Sequence, residues 1–291
     1  MSTIDLWVRD LVTKYGLIVI VFVVLSSLIS WKWSRFRQSN YKAFLIGFET
    51  ECAELASSYK KKLFAPLEHM VSHDEVLRSL NSIRILEIGV KTGRYTFHFF
   101  SLSYTITLII NLSCFSFSGD NIQYYPEGAH FIAVDCNRKL GDYLVNGDRA
   151  WQYEHVIFER LIIADGSSLK GIPTGCVDVV VTTRSLCSTK STLNTLKEIR
   201  RILAPGGRYL FFEHLPDEQG SFISRVQMIL TRTRIWPALY GGCRLDSNPT
   251  KDIENIGFEE VKLEHVVLQG YVSQPHHLLL SRHHIVGSAT R

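Results

Sequence analysis

Ser82 to Gly93 reads Ser-Ile-Arg-Ile-Leu-Glu-Ile-Gly-Val-Lys-Thr-Gly, and no other stretch constrains the fold as much. An apolar, β-branched run that closes on an acidic residue and then on glycines is how a buried strand delivers its chain into a tight turn against a ligand. Glycine at such a turn lets backbone approach backbone or cofactor. The spacing is not Gly-x-x-x-x-Gly-Lys-Ser/Thr, which argues against a phosphate-cradling P-loop. It is not the Gly-x-Gly-x-x-Gly of a dinucleotide fingerprint either.

Downstream, short apolar runs alternate with helical patterns. His130 to Val134 ends on Asp135, Val156 to Ile163 ends on Asp165, Val177 to Val181 ends on Thr182 and Thr183, and Arg208 to Phe212 ends on Glu213. Strands apolar on both faces and separated by helices indicate a parallel sheet covered on both sides. Right-handed crossovers then bring every strand's carboxyl end to one edge, where a doubly wound sheet binds its ligand. Helices are expected from Arg138 to about Asp148 and from Ser191 to Leu203, the latter stopped by Ala204-Pro205-Gly206-Gly207. Phe258 to Val267 and His277 to Val286 read as a closing antiparallel pair.

The amino-terminal end is organised differently. No charged residue occurs from Tyr15 to Trp31, a run just long enough to cross a bilayer, and within it Leu17 to Leu25 is nearly pure hydrocarbon. Asp5 and Asp10 offset Arg9 and Lys14, unlike the basic start of a cleaved signal peptide, so a retained anchor is expected. Lys32, Arg35, Arg37 and Lys42 follow, with Trp31 and Trp33 suited to an interfacial belt, and the positive-inside rule keeps the rest of the chain in the cytosol. A helix lying shallowly in one leaflet, as on a lipid droplet, is the competing reading. The chain therefore divides into an anchor with a basic flank over 1–39, a helical lead-in over 40–80 with Pro66 between two segments, and a main domain over 81–291. The lead-in is a lid, a packing layer or a connector.

Totals narrow the class further. The net charge of +4 is scattered rather than striped along one face, so nucleic acid is not implied. The six cysteines form no Cys-x-x-Cys pair and no zinc spacing, and read as reduced thiols facing the cytosol. His276, His277, His283 and His284 sit on an expected strand, where adjacent residues point to opposite faces. No metal is expected there.

With those runs in place, the chain resembles the class I S-adenosylmethionine (SAM)-dependent methyltransferases, and from Leu63 onward the membrane-anchored thiol methyltransferases of the methyltransferase-like 7 family. The likeness rests on Leu86-Glu87-Ile88-Gly89-x-x-x-Gly93, on Asn121-Ile122-Gln123-Tyr124-Tyr125-Pro126-Glu127-Gly128, on Gly175 to Val181, on Glu198 to Gly207 running on to Phe212-Glu213-His214, and on Gly242-Cys243-Arg244-Leu245. Lys91 departs from the pattern, standing where the family carries a middle glycine. The resemblance implies a doubly wound, mostly parallel seven-stranded α/β sheet of Rossmann-like form behind an amino-terminal membrane anchor helix. It implies SAM as cofactor, with Glu87, Gly89 and Gly93 around its methionine part, Asp135 on the ribose hydroxyls, Asp165 and Gly166 beside the adenine, and Asn121 and Thr183 lining the same pocket.

Arg94 to Gly119 interrupts that likeness. The segment holds no acidic residue, and Arg94 is its only formal cation. A bilayer crossing there would separate the first strand from the second in one sheet. Excising it restores a family-like junction of Thr92-Gly93 to Asp120-Asn121, so translated intronic sequence or a splice variant is one reading, and a membrane-dipping hairpin the other. Finding the segment in the major mature transcript counts against the first.

Methyl transfer from a sulfonium is an in-line displacement that needs alignment and exclusion of water. A thiol acceptor ionises near neutral pH and can dispense with a general base. His214 is the candidate for proton transfer, with a hydrogen-bonded rim histidine as the plainer reading, and Cys187 reads as a pocket wall. Ser221 to Tyr240 is a candidate acceptor lid with an apolar face, or part of the core. The expected function is a membrane-anchored methyltransferase of small lipophilic thiols, held at the endoplasmic reticulum or a lipid droplet with its catalytic domain in the cytosol. Two alternatives stand beside it: a catalytically impaired membrane protein of the same fold, and an enzyme acting on a lipid oxygen or nitrogen.

Overall fold

The computed structural model describes residues 15–16, 20–27, 48, 51–90, 121–136 and 153–291. The chain divides into two compact units, Met1–Ile46 with Tyr95–Cys114, and Gly47–Arg94 with Phe115–Arg291. In the first unit the described helical stretch, residues 20–27, exposes Ile20, Phe22 and Val24. No helix among the described residues is long and apolar enough to cross a membrane. Most of the expected anchor, the segment from Arg94 to Gly119, and the expected helix from Arg138 lie outside the described residues.

The second unit is built on a seven-stranded sheet, as expected. Its strands are β1 (Arg84–Ile88), β2 (His130–Asp135), β3 (Ile157–Ile163), β4 (Val177–Thr183), β5 (Leu203–His214), β6 (Glu260–Val267) and β7 (His283–Thr290). The order is β3-β2-β1-β4-β5-β7-β6. The first five are parallel, and β7 runs antiparallel to both β5 and β6. The order reverses between β1 and β4, the switch point at which such sheets hold ligands.

Both faces of the sheet are covered because alternate residues of the central strands point opposite ways. Ile85, Val179 and Val181 pack with Cys52, Ala56, Phe64 and Leu67, which come from the helix over residues 51–64, here α1, and the 3-10 turn Ala65–His69 that follows it at Pro66. Leu86, Ile88 and Val180 pack on the other face with Leu196, Ile199 and Ile202. Part of the lead-in is therefore a packing layer. Asp178, buried in β4, fastens its far end: its carboxylate accepts from the Ser72 hydroxyl at 2.7 Å, the His73 amide at 2.9 Å and the Arg84 amide at 2.8 Å.

The remaining helices are α2 (Glu75–Ser79), α3 (Thr192–Ile202), α4 (Phe222–Arg232), α5 (Ile235–Leu239), α6 (Thr250–Asn255) and α7 (Pro275–Ser281). Helix α3 starts where Ser191 accepts from the Asn194 amide, satisfying one of the donors that a helix start leaves unpaired.

Two expectations need correction. Residues Pro275–Ser281 are a helix rather than the start of the last strand, so His276 and His277 lie on α7 and only His283 and His284 on β7. Strand β3 is not apolar on two covered faces. It lies at the edge of the sheet, with Ile157 and Ile163 exposed.

Candidate functional site

The switch point is held together by the acid that closes β1. Glu87 is buried, and both of its oxygens are engaged: Asn121 Nδ2 donates to Oε1 at 2.6 Å and the Tyr125 hydroxyl to Oε2 at 2.7 Å. Asn121 Nδ2 also donates to Thr183 Oγ1 at 2.8 Å, so one amide links the ends of β1 and β4. Burial, and then the neighbouring Glu87 charge, push the Tyr125 phenol well above its usual range and keep it a donor. Asn121 Oδ1 is buried and has no hydrogen-bond partner among the described residues. A buried acceptor in that state calls for a donor.

Two glycines shape the same edge. Gly89 has φ +76°, and a Cβ on it would lie 2.5 Å from Ser185 Cβ, so the chain leaves β1 in contact with the chain leaving β4. Gly166 has φ +85°, and a Cβ there would lie 2.7 Å from Ile88 Cγ2. Gly93 and Lys91 lie outside the described residues.

Asp135 closes β2 half-buried at this edge. Asp165, just past β3, is committed to its own turn: Oδ1 accepts from the Ser167 amide at 3.1 Å and hydroxyl at 2.6 Å, and Oδ2 from the Lys190 amide at 3.2 Å. Burial opposes ionisation of Asp165, but those donors hold its carboxyl below the ordinary range. Burial first, then the Asp135 and Asp165 charges, push the Cys136 thiol up. The strand ends therefore converge as the topology requires.

His214, the last residue of β5, is buried. Its Nε2 lies 3.1 Å from Cys243 Sγ, and its Nδ1 has no partner among the described residues. Cys187 Sγ lies 3.3 Å from Cys243 Sγ. Tyr240, Arg244 and Leu245 adjoin this group, and Arg244 donates through its amide at 3.2 Å and its Nε at 3.1 Å to the Cys187 carbonyl. The next carboxyl, Glu213, accepts from the Ser185 and Leu186 amides, each at 3.2 Å. Burial, and then the Cys187 charge, push it up to about 7. The convergence of Cys187, His214 and Cys243 was missed in the sequence, where His214 and Cys243 lay in separate motifs and Cys187 in none.

The segment over Ser221 to Tyr240 belongs to the core through Trp236. Trp236 is buried in one cluster with Cys187, Cys243 and Leu245, whereas Phe222, Ile229 and Ile235 face outward. His277 on α7 contacts Tyr240 through its hydroxyl and Trp236 edge-on, and burial, with His276 adding to it, lowers its pKa to about 4. It is a neutral packing residue.

Comparison with known proteins bears on what this edge binds. The family described as "Methyltransferase domain" matches residues 117–211. Thiol S-methyltransferase TMT1B of Rattus norvegicus is 34% identical over 209 residues, which cover 72% of this chain and 73% of that protein. Thiol S-methyltransferase TMT1A of Homo sapiens is 27% identical over 259 residues, 89% of each chain. Among solved structures, geranyl diphosphate C-methyltransferase from Streptomyces coelicolor A3(2) is 12% identical with a TM-score of 0.48, covering 81% of this chain and 80% of that one.

Proposed function

Because the chain belongs to the thiol S-methyltransferase family of SAM-dependent methyltransferases, we propose that it S-methylates a small lipophilic thiol at a membrane surface. S-adenosyl-L-methionine is its methyl donor and, when bound, supplies an electrophilic methyl on a sulfonium sulfur. The residues at the switch point suit that donor. Asn121 Oδ1, buried and lacking a partner among the described residues, is the acceptor for the donor's α-ammonium group, and it is the observation that carries the assignment. Glu87 holds Asn121 in place, while Gly89 keeps the β1 exit narrow.

Asp135 takes the two ribose hydroxyls, since a carboxylate offers two oxygens to two donors. Asp165, spent on its own turn, fixes the loop so that Gly166 borders the adenine. Thr183, joined to Asn121 at 2.8 Å, lines the donor side, His214 the acceptor side, and Gly93 belongs to the donor side by the sequence pattern alone.

A thiol is the acceptor class because the relatives are named for it and because the β5 end gathers an imidazole and two cysteine sulfurs next to Glu213. Leu230, Trp236, Leu245 and Leu280 pack around those groups and favour an apolar acceptor. Membrane attachment rests on the uncharged run from Tyr15 to Trp31 and its basic flank, with the second unit in the cytosol at the endoplasmic reticulum or a lipid droplet.

A competition assay tests the acceptor class. With labelled SAM and equimolar octanethiol, octanol and octylamine, label is expected in the thioether. Label in the ether or the secondary amine overturns the thiol assignment.

A further inference from the structure

We propose that Cys187, His214 and Cys243 form a zinc site with one coordination position left open for the acceptor's sulfur. The three side chains are buried, and Cys187 and Cys243 are 56 positions apart in the chain. Their donor atoms all lie within 4.8 Å of one another, with the closest pairs at 3.1 and 3.3 Å. A tetrahedral zinc with bonds of about 2.0–2.3 Å holds its ligand atoms roughly 3.3–3.8 Å apart. The two closest pairs lie within a few tenths of an ångström of that geometry, and the third, between Cys187 and His214 and no more than 4.8 Å, reaches it by a side-chain adjustment of at most about 1.5 Å.

The donor set selects the metal. Two thiols and an imidazole suit zinc, whereas magnesium and calcium want oxygen, and this group holds none. Two thiolates also neutralise the divalent charge, so the occupied site carries no net charge into an apolar surround. The ligands come from three places that the fold already fixes: the 3-10 turn Leu186–Ser188 after β4, the last residue of β5, and the turn at 240–243. That last turn is closed by the Cys243 amide on the Tyr240 carbonyl and is tied by Arg244 to the Cys187 carbonyl. Among the described residues the site has three protein ligands, rather than four, which is the mark of a zinc site that keeps a position for a reactant.

The open position rests on the thiol reading above. An acceptor thiol that binds there releases its proton to solvent and keeps the electron pair on sulfur, so it is held as a thiolate at neutral pH. His214 is then a ligand through Nε2 rather than a proton acceptor. A disulfide between the two cysteines accounts for less, since the sulfurs would have to close to about 2.05 Å at the expense of an oxidant, leaving His214 without a part.

The test uses the full chain in detergent, stripped with a chelator and titrated with cobalt(II) as a spectroscopic stand-in for zinc. One cobalt per chain is expected, with tetrahedral d–d bands and sulfur-to-cobalt charge-transfer absorption. Cys187→Ser and Cys243→Ser should each weaken binding by more than about tenfold and remove charge-transfer intensity, as removal of a coordinating ligand requires. Cys176→Ser, which alters a thiol outside the group, should change nothing. Near-UV circular dichroism identifies any variant that has lost its fold, and His214→Ala then serves as an independent ligand deletion.

Octanethiol, but not octanol, should shift the bands. A folded chain that binds no stoichiometric cobalt, a spectrum indifferent to the cysteine changes, or a mass loss of two hydrogens linking Cys187 to Cys243 overturns the zinc site. Cobalt bands unmoved by octanethiol overturn the open position. Label from SAM appearing in an ether instead of a thioether overturns the thiol reading while leaving the metal result standing.

Discussion

Gly89 and Ser185 touch because neither strand end leaves room for a side chain between them. Gly89→Ala forces φ +76° on a residue with a Cβ and brings that atom within 2.5 Å of Ser185. It should cost at least about 2 kcal/mol, read as a lower midpoint in urea unfolding. Asp135→Ala leaves the sheet intact and should weaken SAM binding about ten- to a hundredfold, taking the lost charge-assisted hydrogen bonds as roughly 1.5–3 kcal/mol. Calorimetric affinity equal to that of the parent chain would remove Asp135 from the ribose.

His277 gives a pH signature. Its folded pKa, about 4, lies below that of the unfolded chain, so the unfolded state binds more protons between about 4 and 6.5. Stability from this group is whole above that window and is lost as pH falls through it. The melting temperature of the parent chain should drop on acidification by more than that of His277→Asn, and parallel curves would refute the assignment. Glu87, Gly89, Asp135 and Thr183 could be placed in the sequence at the ends of apolar runs because strand ends are local features. The pairing of Asn121 with Glu87 across 34 positions, and the meeting of Cys187 with Cys243, depend on the tertiary fold and left no local mark.

Among the elements, α1 matters most to the site it does not enter. Phe64 is 1% exposed, stacks on Tyr124 with centroids 5.6 Å apart, and meets Tyr125 edge-on at 5.8 Å, and Tyr125 in turn holds Glu87. Phe64→Ala should cost about 3–5 kcal/mol and also weaken SAM binding. Loss of stability with unchanged affinity would show that the helix packs without steadying the cofactor edge. The strands were legible from their β-branched runs, and α3 from its apolar spacing and its serine cap. The last helix was not, because His277 to Leu280 offers apolar residues without a helical break, and only the return of the chain toward β7 decides the matter. The edge position of β3 was also hidden, since Ile157, Leu161 and Ile163 look alike whether covered or not.

At the scale of the whole molecule, an enzyme of this family is coupled to a stretch of uncharged residues at its start. Removing residues 1–39 should release the chain from membranes in a flotation assay while SAM affinity is kept. A truncated chain that still floats would assign attachment to another part of the sequence. Net charge and cysteine count said little about function, because neither is patterned on one face or in one motif. The order of the strand-end motifs said much more, because a doubly wound sheet gathers them at one edge. The most direct measurement is methyl transfer by the full chain from labelled SAM to octanethiol, with Asp135→Ala alongside. The account predicts labelled methyl octyl thioether from the parent chain and a marked loss at subsaturating SAM in the variant. A folded chain that neither binds SAM nor forms the thioether would contradict it.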